Sequence, residues 1–372
     1  MKKSLLFAAL AVSIAAACTK TGQVTQTPDP LDDGQPVPVI FSASAPRNIE
    51  VKSTGAALSQ WSGQQLNVYS YEAGVSNYAA ATAFIDNVVA TAPQTGVSGA
   101  ITVTNPVNGE PFYYAAGKYY DFFGYYIDDA ATAEPSAQVD GVYVPFTITG
   151  SQDLMIATSD KAADIEAAGQ TGTVTEDRVY SAYAARRNIQ PKLVFKHQLA
   201  RFTFEVVAGS EAGGLIYIDG IGVESVASGD LKVVGADRGL VNLSSDIVEL
   251  KLGEKNTSGQ IQDLTPVQPN AYDGTKTNVK SVGESIMVVP GNASYNLKVY
   301  TSQEGTQTAI DPQKWTLNIA DIIGAPEGAA AFEAGYSYKV TIVVYGLEEV
   351  KISVELEEWK DGGSTVLDPD IL

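Results

Sequence analysis

Residues 336–346, Tyr336-Ser337-Tyr338-Lys339-Val340-Thr341-Ile342-Val343-Val344-Tyr345-Gly346, decide the fold class together with the run Val350-Lys351-Ile352-Ser353-Val354-Glu355-Leu356 that follows. Tyr336, Tyr338, Val340, Ile342 and Val344 recur at period two, and so do Val350, Ile352, Val354 and Leu356. Successive side chains of a strand point to opposite sides, so this period is that of an extended chain with one buried face. Gly346 separates the runs, and the pair reads as an antiparallel hairpin. The same signature recurs in Leu66-Asn67-Val68-Tyr69 and in residues 142–148, 193–207 and 286–290, with Gly, Asn, Asp and Pro turns between. The expected fold class is all-β, with two β-sandwich domains in tandem and few short helices. One short helix is expected, capped by Ser159 and ending before Gly169. A boundary near residue 190 gives an N-terminal domain over 48–190 and a C-terminal domain over 191–372, with Arg186-Arg187 in a linker read over 184–191.

The 372 residues are 45% hydrophobic and include 19 Tyr and 11 Phe, which disordered chains lack. Lys and Arg number 24 against 43 Asp and Glu, a net charge of −19, so no surface here could neutralise a row of phosphates. Nucleic acid is thereby excluded as a partner. One Cys and one His remove most thiol and metal chemistry. No P-loop, dinucleotide fingerprint, EF-hand loop, zinc spacing or Gly-x-Ser-x-Gly elbow occurs, and no metal, cofactor or catalytic residue is expected. His197, inside Phe195-Lys196-His197-Gln198-Leu199, reads as a packed, hydrogen-bonded strand residue rather than the base of a triad. Asp128-Asp129 and Glu357-Glu358 read as solvated carboxylates rather than a glycosidase pair.

Met1-Lys2-Lys3 precedes a short apolar run over 5–17, the pattern of a secretory signal. The run is too short to span a bilayer. Ala15-Ala16-Ala17-Cys18 resembles a bacterial lipoprotein box, with Ala15 in place of the usual larger aliphatic residue, and marks Cys18 as the lipidation site. A polar, Pro-rich tether over 19–38 follows. A strand is expected over 37–44, with Val37, Val39 and Phe41 on one face and Ile40 adding to the buried area. It ends at Ala45-Pro46-Arg47.

Residues 112–126 hold a dense aromatic cluster in which Tyr113, Tyr114, Tyr119 and Tyr120 are candidates for a ligand-stacking platform. Doublets such as Tyr119-Tyr120 and Phe122-Phe123 point to both faces of a strand, which favours core packing over a carbohydrate site.

Several of these segments, in this order, resemble the fimbrillin family, pilins of Bacteroides-type anaerobes that include the Mfa-like members. Phe112-Tyr113-Tyr114 with Tyr120-Asp121-Phe122-Phe123-Gly124-Tyr125-Tyr126 is similar to the family's aromatic strand pair. Asp153-Leu154-Met155-Ile156-Ala157 resembles its Asp-Leu-Met-x-Ala segment, and residues 193–204 resemble its most recognisable signature. Ile286-Met287-Val288-Val289-Pro290, residues 332–338 and the closing hairpin to Trp359 resemble the rest.

The resemblance implies two transthyretin-like β-sandwich domains and a route of assembly. It implies an outer-membrane lipoprotein precursor, with residues 1–17 as signal and 18–47 as lipidated propeptide. A surface protease would then cut between Arg47 and Asn48, releasing the strand that holds Val37, Val39 and Phe41. The tail 360–372, through Val366, Leu367 and Ile371, would enter a neighbouring copy or related subunit as donor strand, giving an extracellular fimbrium. The alternatives are a tip or accessory adhesin for a host or bacterial surface ligand, and a glycan-binding lipoprotein that never polymerises. Removal of residues 1–47 takes Lys2, Lys3, Lys20 and Arg47 together with Asp29, Asp32 and Asp33, so the net charge moves only from −19 to −20.

Overall fold

The computed structural model describes residues 35–46, 61–130, 133–303, 312–326 and 328–357. The closing hairpin forms as its alternation requires. Ser337–Gly346 pairs antiparallel with Glu349–Glu357, Val340 opposite Val354 and Ile342 opposite Ile352. Tyr338, Val340, Ile342 and Val344 are buried. Along its other edge Ser337–Gly346 runs parallel to Ala200–Ala208, and Ile286–Val288 and Lys280–Ser281 complete a five-stranded sheet. A four-stranded sheet packs against it, in the order Ile247–Lys251, Tyr217–Val226, Ser294–Ser302 and Gln313–Asn318. Phe202, Tyr295, Phe332 and Tyr338 meet in the core between them, with ring centroids 4.7 to 5.7 Å apart.

A seven-stranded sheet surrounds the other core. Its spatial order is Ile85–Thr91, Gln65–Glu72, Tyr120–Tyr126, Met155–Ser159, Lys192–His197, Phe41–Ser44 and Ser98–Ile101. A bridge between Thr91 and Thr102 ties the two ends, so the sheet rolls on itself and its strands face one another across Phe41, Trp61, Leu66, Phe122 and Phe195. Rolling removes the open edges that a flat sheet would present. Along the chain this core ends at Phe195, and every core residue from Leu199 onwards belongs to the second, which also draws on earlier strands.

A further sheet takes strands from distant parts of the sequence: Gly239–Val241, Ser228–Gly235, Gly141–Thr147 and Ser136–Gln138. Val142, Val144 and Phe146 share a core with Leu231, Val233 and Val234, and with Tyr69, Tyr71, Phe123 and Tyr125 from the outer face of the rolled sheet. Phe122 therefore serves one core and Phe123 the other, as the doublet reading requires.

Two local expectations are corrected. The helix Lys161–Ala167 is capped by Asp160, whose side chain accepts from the Ala163 N–H, while Ser159 ends the preceding strand. Both residue types cap well, and the one just outside the first helical turn takes the role. The segment read as a linker is packed: Ala182–Ala185 is a helical turn, and Ala184, Ala185 and Ile189 are buried in the first core. Its small and apolar residues cover that core, and the Arg187 guanidinium lies 3.7 Å from the centre of the Tyr183 ring.

Phe202 is fully buried among three other aromatic rings. Phe202→Ala is expected to lower the unfolding free energy by about 3–5 kcal/mol, read by chemical denaturation. A change below about 1 kcal/mol would contradict this packing.

Candidate functional site

The candidate site is the seat of the first strand. Phe41–Ser44 is bonded along both edges. It runs antiparallel to Ser98–Ile101, with Phe41 opposite Ile101 and Ser44 opposite Ser98. It runs parallel to Lys192–His197, with Ser42 opposite Lys192 and Ser44 opposite Val194. Upstream, the Val39 N–H donates to the Phe112 carbonyl at 2.8 Å and the Tyr114 N–H to the Val37 carbonyl at 3.0 Å. Pro38 bridges Tyr113 on the same side.

Among the described residues no strand lies on the opposite side of this upstream half. Gln190 takes its place: its Oε1 accepts from the Ile40 N–H at 3.1 Å, and its Nε2 donates to the Pro38 carbonyl at 3.4 Å. Tyr114 Oη–H also donates to Gln190 Oε1, at 3.4 Å. Asp164 steadies the neighbouring strand, accepting from Tyr180 Oη–H at 2.6 Å and from the Lys192 N–H at 3.2 Å. Burial pushes the Asp164 carboxyl up, and the hydrogen bonds from Tyr180 and Lys192 pull it back.

Side chains alternate along the strand. Val39, Phe41, Ala43 and Ala45 are buried and Val37 is half-buried, so Val37, Val39 and Phe41 share the inner side as expected. Ile40 is 55% exposed, which corrects its inclusion in the buried area, because period two sends it outward between Val39 and Phe41. The Phe41 ring meets Phe122 edge-on at 5.1 Å, and Phe122 in turn meets Tyr180 at 5.5 Å. Val39 and Phe41 contribute about 1.5–3 kcal/mol each by burial. The inner side tapers, with large residues at 39 and 41 and alanines at 43 and 45.

The fimbrillin-like family model matches residues 54–359, most of the chain. The chain belongs to the fimbrillin-like family. No curated protein matches it by sequence. Solved structures to which the chain is similar include a fimbrilin from Porphyromonas gingivalis W83, at 12% identity and a TM-score of 0.41, covering 88% of this chain and 99% of that one. The fimbrial anchor protein of Porphyromonas gingivalis has 13% identity and a TM-score of 0.38, covering 87% and 100%. A protein from Bacteroides uniformis described as a candidate for cell adhesion has 17% identity and a TM-score of 0.49, covering 88% and 99%. Membership makes this a fimbrial protein of a structural rather than catalytic class, belonging with the subunits of a cell-surface fimbrium.

Other residues singled out in the sequence fall as follows in this fimbrillin-like chain. Tyr114 and Tyr120 are buried, Tyr119 is half-buried and Tyr113 is 42% exposed, so the four do not line one open surface. His197 is buried, with Nδ1 3.0 Å from Asp153 Oδ1, in the packed arrangement expected of a lone strand histidine. Cys18, Arg47, Asn48, Val366, Leu367 and Ile371 lie outside the described residues. Pro46 and Trp61, the described residues on either side of 47–60, are both buried, and Trp61 meets Phe195 edge-on at 5.2 Å. Among the described residues no group of three or more His, Cys, Asp or Glu side chains could hold a metal. Gln190, Asp164 and Tyr180 escaped the sequence reading. The available signal was a polar residue directly before Pro191 at the start of a strand.

The buried phenols of Tyr114, Tyr120, Tyr126 and Tyr180 are pushed above their ordinary value of 10.0 by burial. The unfolded chain therefore releases these protons first as pH rises, and stability present below about pH 10 is lost above it. Thermal melts are expected to give a steady Tm to about pH 9 and a falling one beyond about pH 10. A flat profile to about pH 11 would mean that these phenols ionise as readily in the folded chain.

Proposed function

We propose that this fimbrillin-like chain is the structural subunit of a surface fimbria and assembles by exchanging its first strand for one supplied by a neighbouring copy. On this reading Cys18 carries the lipid that takes the precursor to the outer membrane, and a surface protease cuts between Arg47 and Asn48. Val37, Val39 and Phe41 then leave with the detached segment. The tail 360–372 of a neighbour takes their place through Val366, Leu367 and Ile371.

The observation that carries the reading is the seating of Phe41–Ser44 between two strands that come later in the chain. Its departure would leave two unpaired edges and the pocket that Phe41 fills, and an extended segment is the element that satisfies both. Burial of Val39 and Phe41 opposes spontaneous loss, so a cut followed by replacement gives the exchange its direction. A donor at one end and an acceptor at the other make a heterologous contact, which propagates into an open filament. Copies that each carry a charge near −19 repel at long range, and an inserted strand holds them by non-electrostatic contact.

N-terminal sequencing of assembled surface material is expected to begin at Asn48. An acylated Cys18 retained in filaments would overturn the reading in favour of an anchor or a ligand-binding lipoprotein. A chain lacking residues 364–372 is expected to fold with an unchanged Tm and to form no filaments in electron micrographs. Persistent filaments would assign the donor to another segment.

A further inference from the structure

We infer that Gln190 is a backbone surrogate that seats the strand occupying the slot and screens it for an N–H at the position of Ile40. The inference rests on the strand-exchange reading and names a specificity-determining residue of the same site.

Between residues 42 and 44 the slot is read by main chain: Ser42 lies opposite Lys192 and Ala43 opposite Leu193, and the Ser42 N–H donates to the Pro191 carbonyl at 3.3 Å. Extending that register backwards would set the backbone of Gln190 beside Ile40. It would also set Ile189 beside Val39, but the strand begins only at Lys192 and the Ile189 N–H goes to the Ala184 carbonyl instead. The Gln190 carboxamide supplies what the main chain does not. It accepts from the Ile40 N–H and donates to the Pro38 carbonyl, so it flanks Val39 with one acceptor and one donor. A single residue opposite Val39 in a parallel ladder would bond in that pattern, its N–H to the carbonyl of residue 38 and its carbonyl to the N–H of residue 40. The orientation of the amide follows from the Ile40 N–H, which can only donate, so the carboxamide oxygen must face it. Tyr114 holds that oxygen from behind, and its own backbone N–H bonds the Val37 carbonyl on the far side of the strand.

The requirement this places on an incoming strand is specific. At the Ile40 position it must carry an N–H, so proline is rejected there. Two residues earlier only a carbonyl is required of it by Gln190, and a proline already sits there, Pro38. The donor tail contains Pro369. Gln190 therefore excludes any placement of the tail with Pro369 at the Ile40 position.

The test has two arms. In the intact full chain, hydrogen exchange at the Ile40 amide is expected to quicken about fivefold or more in Gln190→Ala, while the Val39 amide, bonded to Phe112, keeps its protection. Gln190→Glu, which retains the acceptor, is expected to keep Ile40 protected. Unchanged exchange at Ile40 in Gln190→Ala would overturn the inference. In the second arm, full chain cut by trypsin and freed of residues 1–47 is titrated with a synthetic peptide of residues 36–46. Gln190→Ala is expected to weaken binding about fivefold. Replacing the Ile40 amide of the peptide by an ester should weaken binding to the wild type by a similar factor, with no further loss in the variant. Additive losses would overturn the role of Gln190 while leaving the slot intact. If the cut wild type takes up no peptide, the strand-exchange reading itself fails, and with it the selection of an incoming strand.

Discussion

A strand inside a sheet carries donors and acceptors along both edges, and each buried group left without a partner is costly. Phe41–Ser44 meets that demand through Ser98–Ile101 on one side and Lys192–His197 on the other. It is also the element through which the rolled sheet continues from its main body to its last strand, which the Thr91–Thr102 bridge ties back to the first. The Phe41 ring, lodged against Phe122, carries the same dependence into the core. Closure of the sheet, filling of its interior and satisfaction of its edges thus meet in one short segment near the start of the chain.

The described part of the chain is held together without disulfides, since its one cysteine is Cys18. Aromatic packing takes up that role. Tyr120–Tyr126 sends Phe122 into the rolled sheet and Phe123 into the neighbouring core, so a single strand joins two packed bodies. The pairing of Gly141–Thr147 with Ser228–Gly235 ties two distant stretches of chain together through main chain within the second core. Carboxylates are left largely to the surface, where they keep the exterior strongly acidic, and the buried Asp153 is paired with His197.

Much of the fold was legible because period-two alternation is a local property. The closing hairpin, the inner face of Val37, Val39 and Phe41, and the two-sided burial of the aromatic doublets follow from residue order alone. Ile40 shows how narrow that legibility is: its chemistry favours burial, yet its parity sends it to solvent. Segment 184–191 misled because short polar and small residues resemble a linker until a core is present for Ile189 to enter. Gln190 was illegible for a different reason. Its partners, Pro38 and Ile40, lie some 150 residues away and reveal nothing by composition.

What the sequence determined by itself is the class of structure: alternating apolar residues, turn residues between them and an aromatic strand buried on both faces leave an all-β fold as the way to hide that surface from water. The ordered set of segments also carried the family resemblance. Tertiary structure decided which strands became neighbours. The parallel pairing of residues 42–44 with 192–194, the closure of the sheet through Thr91 and Thr102, and the carboxamide standing in for a missing strand all join distant parts of the chain. Such contacts form only when the whole chain has packed, because the hydrogen bonds of a sheet edge take any backbone that arrives in register, and which backbone arrives is set by the shape of the core.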